Sequence, residues 1–291
     1  MISNTYSIEV MEMINVLREA AQKEILPRWG KVIAEQKGDQ KKFIDIVTEA
    51  DKKASEYILN KIRKKFPGSY SEENKFLDRF DHHLIWQIDP IDGTQEFCMS
   101  FADGYACHAA LLKKQDDLNF LPVAGIVYLP GVDKLWYTDG SGIITYSVKG
   151  KELPLPSLSK EQLIGYIRKV DQNESLKRFY RTLGNILGLH SRILPCGAAG
   201  ASISDLLENK INLIILNYNY SKEWDLAMAE PIIRARDGFI CDLKGNNFTY
   251  NRKDSPGKNE PYNLNGYVIS IVFKKEEIIP YIPKDLLEDR F

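Results

Sequence analysis

Residues Trp86–Phe97 read Trp-Gln-Ile-Asp-Pro-Ile-Asp-Gly-Thr-Gln-Glu-Phe. The apolar run Leu84–Ile88 predicts a short buried strand, and Asp89 and Asp92 follow it in a turn that contains proline and glycine. Two carboxylates that are fixed close together attract a divalent cation. This stretch therefore predicts a metal site at the end of a strand.

The residues around the second aspartate predict an anion site beside the metal. Pro90 restricts the backbone, while Gly93 lets it bend closely enough for main-chain N–H groups and the Thr94 hydroxyl to face an anion such as phosphate. The same residue types are common in ordinary turns for local reasons, so a plain turn is the alternative interpretation.

Three more motifs, far apart in the chain, accompany this turn. They are Asp45-Ile-Val-Thr-Glu-Ala-Asp51, the pair Glu72-Glu73, and Trp224-Asp225-Leu-Ala followed by Asp237-Gly238. Together with Asp89–Thr94 they resemble, in order, the motifs of the inositol monophosphatase superfamily of magnesium-dependent, lithium-sensitive phosphatases, which includes the 3′(2′),5′-bisphosphate nucleotidases. The resemblance spans about residues 8 to 270. It implies an α+β or α/β fold, a layered αβαβα sandwich of the sugar phosphatase type, and a phosphoric monoester hydrolase.

Oxygen donors dominate the candidate metal ligands. Four carboxylates are available and no His/Cys constellation competes with them, which favours magnesium over zinc. The resemblance implies that two or three Mg²⁺ ions are held by Glu72, Asp89, Asp92, Asp225 and the main-chain carbonyl of Ile91.

The resemblance also implies catalytic and phosphate-binding residues. Glu72 and Thr94 would orient and activate the attacking water, and the main-chain donors of Gly93 and Thr94 would hold the phosphate. Asp51 has two interpretations of equal weight. Thr48 caps a helix in which Asp51 lies in the first turn and complements the helix dipole, whereas the family places the matching aspartate beside the metal cluster.

The sequence indicates the substrate-binding residues less clearly than the metal ligands. Gly197-Ala198-Ala199-Gly200-Ala201 could pack a helix closely against a sheet, or could contact substrate as the matching turn does in the family. Where the inositol-specific branch has a carboxylate before Trp-Asp, this chain has Tyr218 as the corresponding substrate-binding candidate. The first hypothesis is therefore a general phosphomonoesterase for an inositol monophosphate-like compound or a sugar phosphate. Its alternatives are a nucleotidase for adenosine 3′,5′-bisphosphate and a noncatalytic metal- or phosphate-binding protein.

Composition limits the partners. The chain has 291 residues, with 39 lysines and arginines against 40 acidic residues and no long basic block, so we expect neither a nucleic acid polymer nor a membrane as partner. The N-terminus lacks a secretory pattern and no apolar run reaches the length of a membrane-spanning helix, so we expect the cytoplasm. The remaining partners are a small phosphorylated substrate and, by resemblance, a second subunit in a possible homodimer.

The sequence also predicts the order of the helices and strands and a division into two halves. Residues 1–150 would carry most of the metal ligands, and residues 151–291 would complete the site. A long amphipathic helix is predicted from Ile8 to about Gln36, with Ile8, Met11 and Ile14 on its apolar face, and an interruption near Pro27 is left open. His108 lies in an apolar run and is expected to be a core residue with a hydrogen-bond partner rather than a metal ligand.

Antiparallel strands are predicted over 104–112, 123–129, 134–138 and 143–148, and alternating strands and helices over 163–167, 175–187, 201–207, 211–216, 226–235 and 266–273.

Overall fold

The computed structural model describes residues 5–32, 35–36, 46–74, 81–116, 119–168, 174–216, 221–250, 263–264 and 266–287. Its α-helices are α1 (Ser7–Ala20), α2 (Glu49–Ile62), α3 (Thr94–Cys98), α4 (Glu174–Leu187), α5 (Ala199–Leu207), α6 (Trp224–Ala227), α7 (Ala229–Ala235), α8 (Lys275–Ile278) and α9 (Lys284–Leu287). Its strands are β1 (Glu35–Gln36), β2 (Ile46–Val47), β3 (Tyr70–Ser71), β4 (Leu84–Asp92), β5 (Ala106–Lys114), β6 (Phe120–Leu129), β7 (Lys134–Thr138), β8 (Thr145–Val148), β9 (Lys151–Leu153), β10 (Gln162–Arg168), β11 (His190–Cys196), β12 (Ile214–Leu216), β13 (Ser221–Lys222), β14 (Phe239–Cys241), β15 (Asn263–Leu264) and β16 (Tyr267–Ser270).

A seven-stranded sheet carries the acidic turn. Its strand order is β3-β4-β5-β6-β7-β8-β9, and every pair is antiparallel except β3 with β4. The predicted antiparallel sheet behind the turn is therefore confirmed. The sheet continues through β9, beyond the predicted boundary at residue 150, so the division into two halves stays a prediction.

Helices cover both faces of this sheet, and its central strands are therefore buried on both sides. On one face α1 and α2 pack against alternate residues of β4 to β6, among them Trp86, Ile88 and Leu111. On the other face lie α5, α6 and α7, and their core includes Ile85, Ala106 and Ala110. Neighbouring residues of one strand thus serve different cores, as the two-residue repeat of a strand requires.

A second sheet lies behind the middle helices. Parallel strands β10 and β11 join the antiparallel set β12-β16-β14 through a bridge between Gly165 and Leu213. Its far face packs against α4 and α8, where Leu176, Tyr180 and Ile278 are buried. The layers alternate helix, sheet, helix, sheet, helix, which confirms the predicted αβαβα sandwich.

The N-terminal helix ends earlier than predicted. After α1 the chain forms a π-helical turn, Ala21–Ile25, and a 3₁₀ turn, Leu26–Arg28, and Glu35–Gln36 is a strand. Pro27 lacks the N–H that a continuing helix needs, and Gly30 has a positive φ of 65°. The interruption near Pro27 that the sequence left open is therefore present, whereas the prediction of a helix as far as about Gln36 was wrong.

The apolar face of α1 also differs in part from the prediction. Ile14 lies in the core, whereas Ile8 and Met11 are 69% and 46% exposed. The helical segment is interrupted at Met228 between α6 and α7, while Met228 keeps helical dihedrals, and Pro231 follows in the first turn of α7. Across the described ranges, no helix combines the length and apolarity required to cross a bilayer.

Candidate active site

A bulge in β4 places the two aspartates of the turn on one face of the sheet. Asp89 pairs with His108 and Asp92 with Ala106, so three steps along β4 match two steps along β5. In a regular strand, residues three apart point to opposite faces. Because cross-strand partners share a face and His108 and Ala106 are two residues apart, both aspartates face the middle helices.

Four carboxylates from three separate segments meet at this turn. Burial raises the pKa of Asp89 well above its usual value, and the negative charges of Glu72, Asp92 and Asp225 raise it further. A carboxylate responds in this way only to acidic groups close to it. The structure therefore brings Glu72 and Asp225, which are far away in sequence, together with Asp89 and Asp92.

Asp92 is held ionised by the start of α5. The Ala199 and Gly200 N–H groups donate to its two oxygens at 3.2 and 2.5 Å. Burial alone would raise the pKa of Asp92, but the nearby His108 imidazole and these two amides outweigh burial and lower it. A Cβ on Gly200 would lie 2.6 Å from Ala106 Cβ and 3.2 Å from Asp92 Oδ2, so only glycine allows this approach.

Asp51 joins a helix cap to the site. Its Oδ2 accepts from the Thr48 N–H at 2.8 Å and from the Thr48 hydroxyl, while the Thr48 hydroxyl accepts from Ala50 N–H. The other oxygen, Oδ1, accepts from the Thr94 hydroxyl at 3.0 Å. Burial raises the pKa of Asp51 and outweighs these hydrogen bonds. The predicted cap is confirmed, and Asp51 also contacts the acidic turn, although its catalytic role stays a prediction.

Gly93 makes the tight turn between the aspartates and Thr94. Its φ is +88°, and a Cβ there would lie 2.5 Å from Ala198 Cβ and 3.0 Å from the Gly104 carbonyl oxygen. The Thr94 hydroxyl also lies 3.3 Å from the Ile91 carbonyl oxygen. The turn thus brings the small-residue segment at Ala198 next to the predicted phosphate site.

The small-residue segment has a clear packing role. Ala199 and Gly200 bind Asp92, Gly200 lies against β5, and the Gly197 carbonyl accepts from the Tyr166 hydroxyl at 2.8 Å. Substrate contacts by Gly197, Ala198 and Ala199 stay predictions. Tyr218 lies outside the described residues, as does Asp45 of the first motif.

Two residues near the site were not identified as site residues from the sequence. Glu96 extends towards the small-residue segment, since a Cβ on Gly197 would lie 2.8 Å from its Oε1 and a Cβ on Gly93 would lie 3.4 Å from its Oε2. His108 is 1% exposed, as expected of a core residue, but its Nε2 faces Asp89 and Asp92 and has no hydrogen-bond partner in the described structure. The alternation of β5 places His108 on one face with Ala106 and Ala110, but its position at the acidic turn follows from the register with β4, which residue type does not give.

The residues present fit a divalent cation. Within the described ranges, Asp89 and Asp92 form no ion pair with lysine or arginine, although both are buried. Buried carboxylates need a compensating charge. Asp89, Asp92 and His108 offer donor atoms within 4.8 Å of one another, and Glu72 and Asp225 adjoin them.

Comparison with known proteins agrees with this geometry. The sequence model described as "Inositol monophosphatase family" matches residues 9–276. Inositol monophosphatase 3 of Solanum lycopersicum is 24% identical, over 82% of this chain and 89% of the relative. The 3′(2′),5′-bisphosphate nucleotidase CysQ of Aggregatibacter actinomycetemcomitans is 27% identical, over 72% and 76% of the two chains. The solved structure of an IMPase/NADP phosphatase complexed with Mg²⁺ and phosphate superposes with a TM-score of 0.67 at 18% identity, covering 94% of each chain.

Proposed function

The chain belongs to the inositol monophosphatase family and is a phosphatase of that family, and from this premise we propose that it hydrolyses a small phosphomonoester with the help of Mg²⁺. The substrate is an inositol monophosphate-like compound or a sugar phosphate. One observation carries the proposal, namely the convergence of Glu72, Asp89, Asp92 and Asp225 beside the hydrogen bond between Thr94 and Asp51.

The carboxylates and one main-chain carbonyl would hold the cations. Among the described residues, the buried oxygen donors of Asp89 and Asp92 have no lysine or arginine partner, which supports a hard dication such as Mg²⁺, and a similar solved structure was obtained with Mg²⁺ and phosphate. When bound, two or three such ions would neutralise phosphate charge and make bound water more acidic. The ligands in this proposal are Glu72, Asp89, Asp92, Asp225 and the Ile91 carbonyl.

Asp51 and Thr94 would orient the attacking water. The Thr94 hydroxyl has one proton, which it donates to Asp51 in a hydrogen bond, so its lone pairs can accept a hydrogen bond from the attacking water. A raised pKa makes the Asp51 carboxylate a better proton acceptor than an exposed aspartate. Glu72 would hold the same water from the side of the acidic cluster.

The turn at Gly93 would bind the phosphate. The first N–H groups of a helix have no partner within the helix, and those of Gly93 and Thr94 come where α3 begins. Glu96, beside Gly93 and Gly197, would accept hydrogen bonds from hydroxyl groups of the substrate. Such a carboxylate suits a polyol or a sugar, which supports these substrate classes although Tyr218 replaces the acidic residue of the inositol-specific branch.

A bisphosphate nucleotidase is the second candidate. It is favoured by the similarity to CysQ and by the sequence Asp92-Gly-Thr-Gln-Glu-Phe97 after the first aspartate. Both candidates involve a small phosphorylated substrate rather than a nucleic acid polymer or a membrane. Assembly as a homodimer and location in the cytoplasm stay predictions.

Phosphate release from three substrates tests the proposal. The purified protein is assayed with inositol 1-phosphate, fructose 1,6-bisphosphate and adenosine 3′,5′-bisphosphate, each with Mg²⁺ and with a chelator. We expect Mg²⁺-dependent release from one of the first two. Much faster release from the nucleotide would favour the second candidate, and tight Mg²⁺ binding without any turnover would favour a noncatalytic binding protein.

A further inference from the structure

The His108 imidazole is a buried polar group whose hydrogen bonding is incomplete. Its side chain is 1% exposed, and no partner satisfies its Nε2 in the described part of the chain. Leaving a buried polar atom unsatisfied costs about 1–3 kcal/mol. The ring therefore either destabilises the fold or has a ligand that completes it.

The neighbouring strand β4 and helix α5 orient the His108 side chain towards the acidic cluster. His108 lies directly opposite Asp89 in the β4–β5 ladder, and Ala106 and Ala110 on either side of it in β5 leave space for the ring. A Cβ on Gly200 would lie 3.2 Å from His108 Cδ2, so the backbone of α5 closes over the ring. Strand pairing and helix packing thus fix the imidazole on the same face as both aspartates.

The distances suit shared coordination better than a direct hydrogen bond. Nε2 lies 3.6 Å from Asp92 Oδ2 and 3.8 Å from Asp89 Oδ2. Hydrogen bonds from nitrogen to oxygen are usually about 2.7–3.2 Å long. Two ligands of one cation, each about 2.0–2.3 Å from it, can be separated by up to twice that bond length. One cation can therefore contact Nε2 and both aspartates.

We propose that His108 Nε2 is a nitrogen ligand at one cation position, together with Asp89 and Asp92, and that this position consequently prefers a transition-metal dication such as Mn²⁺ or Co²⁺ over Mg²⁺. Imidazole favours transition metals, whereas Mg²⁺ is held by oxygen donors. The inference uses the cation site of the proposed function. It does not depend on which phosphoester is hydrolysed.

The experiment measures binding without substrate. Mn²⁺ is added to the purified chain, and pulsed EPR is used to detect nitrogen hyperfine coupling from an imidazole ligand. We compare the wild type, His108→Leu, His108→Gln and the control His83→Ala, whose histidine is exposed. The wild type and the control should show the coupling, and both His108 variants should lack it.

Calorimetric titration supplies the second readout. The affinity of His108→Leu for Mn²⁺ and Co²⁺ should fall by at least about tenfold, while its affinity for Mg²⁺ should change much less. About tenfold is the lower end of the loss in metal affinity when a residue that only hydrogen-bonds to a ligand is removed, and loss of a ligand should cost at least as much. Absence of nitrogen coupling in the wild type would overturn the proposal. So would an equal loss of Mg²⁺ and Mn²⁺ affinity, because His108 would then only position the carboxylates.

Two controls keep the result interpretable. Circular dichroism and thermal unfolding verify that the variants fold, and His108→Gln retains a polar group if His108→Leu does not fold. Nitrogen coupling in a protein that hydrolyses no phosphoester would support this inference and contradict the proposed function. Mg²⁺-dependent hydrolysis without nitrogen coupling would do the reverse.

Discussion

The Thr94 hydroxyl lies 3.0 Å from Oδ1 of Asp51, a residue 43 positions earlier in the chain. This hydrogen bond connects the first turn of α2 to the start of α3. It couples the helix cap, which fixes Asp51, to the acidic turn, which fixes Thr94. Both side chains are therefore held in place before a substrate arrives.

Loss of the Thr94 hydroxyl should impair turnover more than metal binding. We expect Thr94→Val to lower kcat by about 10²–10⁴-fold, the usual contribution of a positioned proton-transfer group, because water loses its acceptor. Thr94→Ser keeps the hydroxyl and should retain most of the activity. The measurement is steady-state phosphate release together with the Mg²⁺ dissociation constant. A fully active Val variant would contradict the role of Thr94.

The cap at Thr48 should contribute to stability. We expect Thr48→Ala to lower the free energy of unfolding by about 0.5–2 kcal/mol, because the first turn of α2 loses its acceptor. Denaturant unfolding measures the change. Lys53→Ala, an exposed substitution in the same helix, is the matched control and should have a smaller effect. Equal effects of the two substitutions would show that the cap adds nothing.

Gly93 and Gly142 form a matched pair for testing the turn. Both have positive φ, +88° and +83°, but a Cβ on Gly142 would meet no atom of the described residues within 4 Å. Gly142→Ala should cost only the backbone strain of about 1–2 kcal/mol and keep activity. Gly93→Ala should cost more stability and abolish most activity, since its Cβ meets Ala198. Unfolding and phosphate release on both variants check this, and equal losses would exclude crowding at Gly93.

Asp92→Asn should affect both metal binding and stability. The sequence alone predicts loss of activity with an intact fold, but Asp92 also accepts from two backbone N–H groups. One carboxamide oxygen cannot replace both acceptors, so unfolding should cost about 1.5–3 kcal/mol less. Asp103→Asn, at an exposed position after α3, serves as control. Normal turnover of Asp92→Asn at saturating Mg²⁺ would contradict its role as a ligand.

The metal-free protein should become less stable through Asp89 as pH rises. Its pKa in the folded chain is raised above 3.8, so its stabilising contribution is present below that value and is lost as pH passes the raised pKa. Metal-free Asp89→Asn should therefore be more stable than metal-free wild type at neutral pH. The difference should shrink towards pH 4. Unfolding curves against pH with a chelator measure this, and an unchanged difference would exclude Asp89 as the cause.

The sequence predicts the layers and the acidic turn because both depend on local pattern. Alternating apolar residues identify the strands, and the cap at Thr48 can be read from residue type. Residue type indicates an interruption of the first helix near Pro27, but not that the helix fails to resume after it. The direction of His108 could not be predicted from local pattern either, because it depends on strand register and on the bulge in β4, which are properties of the packed chain.

The extra residue in β4 lets two aspartates that are three positions apart share one face of the sheet. If the pairing were regular at the same length, one of the two carboxylates would point into the apolar layer beneath α1 and α2 instead. A single irregularity of the backbone, and not only the residue types around it, therefore determines whether the two charges lie in one compartment of the protein or in two.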